Sequence, residues 1–245
     1  MKRILPVLGA LIIMAGCGDS PTAAPALPGM MTITFDDGWL SAYTRALPTL
    51  RAHGLHGNIA VVTDYVDLGF VGFMSLPQLQ AAHQDGWSIV SHTVAHPDLI
   101  TISDAELELQ LSASKAWLQD KGFNGSSVFI VPYHSFGDRE LAAIRRHYSA
   151  ARIANANFYV PARFEDWPAD NPYGLTAIEA EFAPYTTEAG RLVLEQQIET
   201  ALTDGKFVDL LFHDIAQEDF AAFQEAIAML ARFRRNVRPY HELFP

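Results

Sequence analysis

From Met31 onward the chain alternates short apolar runs with longer stretches whose apolar residues recur at helical spacing. The runs Met31–Phe35, Asn58–Thr63, Trp87–Ser91, Ser127–Val131, Ser149–Ala154, Leu175–Glu181 and Phe207–Phe212 predict strands, the last apolar throughout except for Asp209. Helices are predicted from about Leu40 to His53, Leu76 to Asp85, Ser103 to Lys121, Asp138 to His147, Thr187 to Thr203 and Asp219 to Phe233. The clearest of them opens at Ser103 with Glu106 three residues on, the pattern of a capping box, and stops at Gly122. Asn155 to Gly174, rich in Pro, Asn and aromatics, has no period, and a loop of this length in a compact domain usually belongs to a binding site.

Parallel strands need crossover helices, so about seven strand-helix alternations predict a parallel sheet, and this number suggests closure into a distorted (β/α) barrel. Catalytic residues of such barrels come from the carboxyl ends of the strands. Asp36, Asp37, His92, His96 and His213 all fall at those ends of predicted strands.

The first 17 residues differ in kind. Lys2 and Arg3 precede an apolar run from Ile4 to Ala15, then Gly16 and Cys17, which predicts an export signal too short to span a membrane. Ala15-Gly16-Cys17 is similar to the lipobox of bacterial lipoproteins, whose cysteine becomes lipidated, with Met14 where leucine is usual. Residues 18–30, with three prolines between Gly18 and Gly29, have the composition of a tether, so the expected organisation is a leader over 1–17, a flexible segment over 18–30 and one domain over 31–245. These residues predict a protein of the bacterial cell envelope, held on a membrane by acyl chains. Cys17 is the single cysteine of the 245-residue chain, which excludes an internal disulfide and a Cys-based zinc site. A net charge of -11 without a basic stripe excludes a nucleic-acid partner of the usual kind.

Asp36 and Asp37 stand side by side at the end of the first strand, before Gly38. Two adjacent carboxylates repel when both ionise, so they form either a solvated turn or a pair held by a cation or a shared proton. His92 and His96 follow the third strand, with Pro97 disfavouring helix just before it, so their spacing is that of a loop. As isolated histidines they read as structural; with an aspartate from another strand end they make a nitrogen and oxygen donor set suited to a catalytic divalent ion, zinc first, with cobalt, nickel or manganese as alternatives. A second carboxylate to take a proton from water and a third histidine to return one to a leaving group would complete a hydrolytic site.

Thr34-Phe35-Asp36-Asp37-Gly38, then Ser91-His92-Thr93-Val94-Ala95-His96-Pro97, then Leu210-Leu211-Phe212-His213-Asp214 resembles the polysaccharide deacetylase family, carbohydrate esterase family 4, over about Met31 to Leu230. The resemblance implies a (β/α) barrel of fewer than eight repeats, an acetylated glycan substrate, Asp36 as base, Asp37, His92 and His96 as metal ligands, and His213 as acid. It also implies that Ser91 and Thr93 orient the histidine segment. Where the family carries Arg-x-Pro-Tyr, this chain reads Ile130-Val131-Pro132-Tyr133-His134: the Tyr133 amide stays a candidate oxyanion donor, but the arginine expected on the base is missing. Either another cation, such as Arg152 or Arg163, enters the site in its place, or the base works less well. Asp166, beside Trp167, is the loose match to the aspartate that orients the acid histidine.

Removal of N-acetyl groups from a chitin-like, peptidoglycan or poly-N-acetylglucosamine polymer is the expected activity. Removal of O-acetyl groups from a xylan-like glycan, and a glycan-binding lipoprotein without turnover, are the alternatives. His134 is either a further site group or an exposed loop residue. Trp39, Tyr65, Phe70, Phe73, Tyr159, Phe164 and Trp167 either offer faces to sugar rings or cover the barrel's end.

Overall fold

A computed structural model of the chain describes residues 28–156, 164–180 and 185–245. Cys17, the leader, the tether up to residue 27, Tyr159 and Arg163 lie outside the described residues. Seven strands, β1 (Met30–Phe35), β2 (Asn58–Val61), β3 (Ser88–Ser91), β4 (Gly125–Ile130), β5 (Ala150–Ala156), β6 (Leu175–Glu179) and β7 (Phe207–Phe212), run parallel in chain order and close into a barrel. Closure is made by β1 on β7, paired from Met30 with Phe207 to Phe35 with Phe212. The helices are α1 (Leu47–Ala52), α2 (Thr63–Asp67), α3 (Leu76–Gln84), α4 (Asp104–Asp120), α5 (Asp138–His147), α6 (Glu188–Thr203), α7 (Phe220–Leu230) and α8 (Tyr240–Leu243). The expected distorted (β/α) barrel is what the chain forms.

The boundaries follow local chemistry. Ser103 caps α4 by accepting from the Glu106 amide at 3.2 Å, and Thr187 caps α6 by accepting from Gly190 at 3.1 Å. Only half of the predicted capping box at Ser103 forms, because the Glu106 carboxylate accepts from Gln110 Nε2 instead (2.8 Å). A second correction concerns the first predicted helix, which opens as a π-turn over Ala42–Ala46 before α1. Apolar periodicity does not distinguish that winding from α.

Two apolar layers result from the alternation of strand side chains. Facing the helices, Phe35 stacks on Phe212 with centroids 5.4 Å apart and meets Trp87 and Phe223. Within the barrel, Ala60, Val90, Val128, Ile130 and Phe207 pack with Tyr240. The short α8 supplies that tyrosine and closes the amino end of the barrel, where the Tyr240 amide donates to Asn58 Oδ1 at 2.7 Å. Gly125 opens β4 because a Cβ there would lie 2.4 Å from the Ile89 carbonyl oxygen, closer than any side chain tolerates. The carboxyl ends of the strands therefore share one rim, with all connecting helices outside.

Candidate active site

Asp37, His92 and His96 converge from the ends of β1 and β3, with donor atoms all within 4.8 Å of one another. The two Nε2 atoms lie 3.1 Å apart, and 3.4 Å (His92) and 3.2 Å (His96) from the same oxygen, Asp37 Oδ1. The other ring nitrogen of each is engaged from behind. His92 Nδ1 donates to the Ile130 carbonyl at 2.8 Å, and His96 Nδ1 meets the Tyr133 hydroxyl at 3.0 Å. Both Nε2 atoms thus face a carboxylate oxygen that is buried and has no hydrogen-bond partner among the described residues.

Such an arrangement needs a proton or a cation between the donors. The donor triangle matches the edge of a tetrahedron around an ion with bonds of about 2.0–2.1 Å, whose edge is ~3.4 Å. The residues therefore fit a divalent metal. Burial alone would raise the Asp37 pKa, but His92 and His96, set against Oδ1, hold it well below the usual carboxylate range. Trp39 Nε1 donates to the other oxygen, Asp37 Oδ2, at 3.2 Å.

The backbone that presents these groups is strained. Asp37 (φ 66°), Thr93 (73°), His96 (58°), Tyr133 (54°) and His134 (55°) are the non-glycine residues of the described chain with left-handed φ, and all stand at the ends of β1, β3 and β4. The loop after β3 is fixed by Gln110 on α4, whose Oε1 accepts from the Val94 and Ala95 amides at 2.9 and 3.0 Å, and by Thr93 Oγ1, which accepts from the His96 amide at 2.8 Å. Thr93 thus orients the histidine segment as expected. Ser91 does not: its hydroxyl turns outward to Ser114 and Tyr148, tying β3 to α4 and the end of α5. Gln110 escaped the sequence reading because a glutamine within a helix carries no motif.

Asp36 is buried beside this centre. Its Oδ2 is held by the guanidinium of Arg152, which rises from β5 inside the barrel and is wholly buried, while Oδ1 has no hydrogen-bond partner among the described residues. Burial would raise the Asp36 pKa; Arg152, aided by His92 and His213, outweighs it and keeps the carboxyl below its ordinary value. The arginine missing at Ile130 is thus replaced from the neighbouring strand, with β4 and β5 registered Ile130 to Arg152.

His213, just beyond β7, is about a third exposed and lies 3.8 Å, Nδ1 to Oε1, from Glu179 at the end of β6. The expected orienting residue is elsewhere. Asp166 pairs with Lys206 at 2.6 Å, where Trp167 N donates to the Gly205 carbonyl, at the amino end of β7. The whole of that strand separates it from His213, so it cannot orient the imidazole, and Glu179 holds the place instead. Pairing with Lys206 also explains why an aspartate lies beside a tryptophan whose ring packs under Phe207 and Phe244. Tyr133 is 63% exposed and touches the site through its hydroxyl on His96. His134 lies within the field of Arg152, Asp36, His92 and His213; burial, with Arg152 next, lowers its pKa to about 3, so its imidazole is neutral. Trp39 stacks on Phe73 at 4.4 Å, and Tyr65 meets both Phe73 and Phe70, forming one aromatic edge of the rim.

Residues 24–149 match the sequence profile of polysaccharide deacetylases, half of the chain. The chain belongs to the polysaccharide deacetylase family. Among its relatives is the Bacillus subtilis protein YxkH, 25% identical over 114 residues, a match that covers 46% of this chain and 40% of that protein. A 30.6 kDa protein of Geobacillus stearothermophilus is 24% identical over 145 residues, covering 58% and 50%. The chain thus spans half or less of the length of these relatives.

Solved structures share the fold. A family 4 carbohydrate esterase from Streptomyces lividans, in complex with acetate, superposes with a TM-score of 0.59 at 17% identity, covering 87% of this chain and 93% of that one. The peptidoglycan deacetylase PdaC from Bacillus subtilis gives 0.55 at 18%, covering 88% and 92%, and a family 4 pseudoenzyme from Bacillus anthracis 0.57 at 18%, covering 87% and 64%. Against the pattern that the sequence resemblance implies, this chain departs in the strand that carries the arginine on the candidate base, β5.

Proposed function

We propose that this protein is a metal-dependent hydrolase that removes N-acetyl groups from a glycan outside the cytoplasm. The observation that carries the reading is one rim on which an Asp-His-His donor set, a buried aspartate held by a guanidinium and a partly exposed histidine stand together. A divalent ion, zinc by its donors, would be held by Asp37, His92 and His96 and would supply a Lewis acid that polarises the acyl carbonyl and acidifies water.

Asp36 then accepts the proton of the attacking water at Oδ1, since Arg152 already occupies Oδ2 and keeps the carboxylate ionised. His213, steadied by Glu179, donates a proton to the departing amine nitrogen, and acetate remains. The Tyr133 amide, on its left-handed backbone at the rim, is a candidate oxyanion donor, and its hydroxyl keeps His96 aimed. The aromatic edge of Trp39, Phe73, Tyr65 and Phe70 suits the apolar face of a sugar ring.

Export through the leader and attachment through a lipidated Cys17, with residues 18–30 as tether, complete the proposal. Among the described residues no helix is long and apolar enough to cross a membrane. A glycan-binding protein without turnover loses its motive once Arg152 stands in for the missing arginine.

Acetate release from a panel of N-acetylated chitooligosaccharides, peptidoglycan and O-acetylated xylan tests the reading, with the zinc-loaded chain and its Asp36→Asn variant. We expect release from an N-acetylated polymer, and a loss of at least about a hundredfold in Asp36→Asn with metal retained. Release from xylan alone would make it an esterase. Sugar binding without acetate release, unaffected by Asp36→Asn, would sink the hydrolase.

A further inference from the structure

The barrel interior of this protein holds more charge than a packed core requires. Such interiors are normally filled by layers of branched apolar side chains, because a buried ion loses its hydration. Here Arg152, Asp209 and Tyr240 are all fully buried within it. They form a directed chain. Asn58 Nδ2 donates to Thr34 Oγ1 (3.1 Å), Thr34 Oγ1 donates to Asp209 Oδ1 (2.7 Å), and Tyr240 OH donates to Asp209 Oδ2 (2.9 Å). Arg152 Nε lies 3.6 Å from Asp209 Oδ2, and the far side of the same guanidinium holds Asp36.

Two donors of this guanidinium, Nε and Nη1, have no hydrogen-bond partner among the described residues, so its position is set by attraction to the two carboxylates rather than by a saturated hydrogen-bond set. Asp209 is in turn fixed by two hydroxyls, one from β1 and one from α8. The one polar residue in the predicted β7 run, which the hydrolytic chemistry leaves unused, thereby acquires a purpose.

We propose that Asp209 and Tyr240 are positioning residues for the reaction: they hold Arg152 at the depth from which its guanidinium grips and aims the base Asp36, so that α8, at the closed end of the barrel, sets the catalytic geometry at the open end. The proposal rests on the hydrolase reading. Neither residue touches the metal donors or the rim, so metal and substrate binding should be indifferent to them while turnover is not.

The test uses the full zinc-loaded chain on whichever glycan of the panel it deacetylates. Asp209→Asn and Tyr240→Phe are expected to lower kcat about tenfold with KM within about twofold and metal content unchanged, and the double variant to be no worse than Asp209→Asn, as for residues acting through one group. Arg152→Ala should lose at least about a hundredfold and regain part of it in millimolar guanidinium, whereas Arg152→Lys, a point charge unable to span two carboxylates, should not substitute. Should Asp209→Asn fail to fold, Tyr240→Phe, which deletes a single oxygen, carries the test. An unchanged kcat in folded, metal-loaded Tyr240→Phe overturns the positioning role and leaves the hydrolase standing. A wild-type chain that releases no acetate from any polymer overturns both.

Discussion

His92 and His96 turn their Nε2 atoms to one oxygen of Asp37 because each Nδ1 is already engaged, by the Ile130 carbonyl and by the Tyr133 hydroxyl. Trp39 engages the other oxygen of Asp37. Partners of this kind orient a ligand, and their loss typically costs ten- to a hundredfold in metal affinity. Trp39→Phe and Tyr133→Phe should therefore each weaken zinc binding by about tenfold in competition with a chromophoric chelator, with little change in the melting temperature of the metal-depleted protein. An affinity equal to wild type in both variants would mean that the triad is held by its backbone alone. The left-handed φ of Asp37, Thr93 and His96 makes that alternative worth measuring.

At the scale of the elements, β3 and β4 deliver the histidines and the Tyr133 segment, and their contact depends on Gly125. The register shifts at this point, pairing Val90 with Gly125 and Ser91 with Phe129. A methyl at Gly125 would meet the Ile89 carbonyl at 2.4 Å, a backbone atom that cannot rotate away. Gly125→Ala should destabilise the chain by about 2–4 kcal/mol, read as a lower urea midpoint with unchanged slope. A midpoint equal to wild type would show that the two strands part at no cost.

Several helix bounds were legible, since α5 spans the predicted Asp138–His147 and caps stand at Ser103 and Thr187. The π-turn over Ala42–Ala46 and the four-residue α8 were not legible, because neither has enough turns to show a period.

For the molecule as a whole, the buried polar chain ties stability to pH. Burial raises the Asp209 carboxyl from 3.8 to about 6, against the pull of Arg152. The folded state therefore holds an extra proton between those values, and by linkage its stability falls as pH rises from about 4 to about 6 and is flat above. Asp36, lowered by Arg152 against its burial, works in the opposite direction: its contribution is present above 3.8 and is lost as pH falls further. In Asp209→Asn the first of these slopes should disappear. The stability of the variant relative to wild type should rise by about 3 kcal/mol between pH 4 and pH 7, from urea unfolding at each pH. A difference independent of pH would mean that Asp209 is ionised throughout.

Stripping the metal at neutral pH should lower the melting temperature as well, since Asp37, His92 and His96 then confront one another without a cation. A melting curve unmoved by a chelator would argue against occupancy of the triad.

By itself the sequence determined the seven strand-helix alternations, and from them the parallel barrel, because burial on both faces writes each strand as a short apolar run. It also determined that Asp36, Asp37, His92, His96 and His213 share a rim, since parallel strands in chain order present all their carboxyl ends on one side. What it left open depends on direction across the barrel. Arg152 and Ile130 are 22 residues apart in number and directly paired in register, so only closure of the sheet reveals that one takes over the task expected near the other. Asp166 carried the expected residue type next to a tryptophan, yet the strand that follows places it at the far end, and Glu179 from β6 meets His213. Side-chain type is a property of the chain; which charges meet in the barrel's dry interior was decided by the tertiary structure, where lost hydration makes each buried ion seek the partner that closure brings within reach.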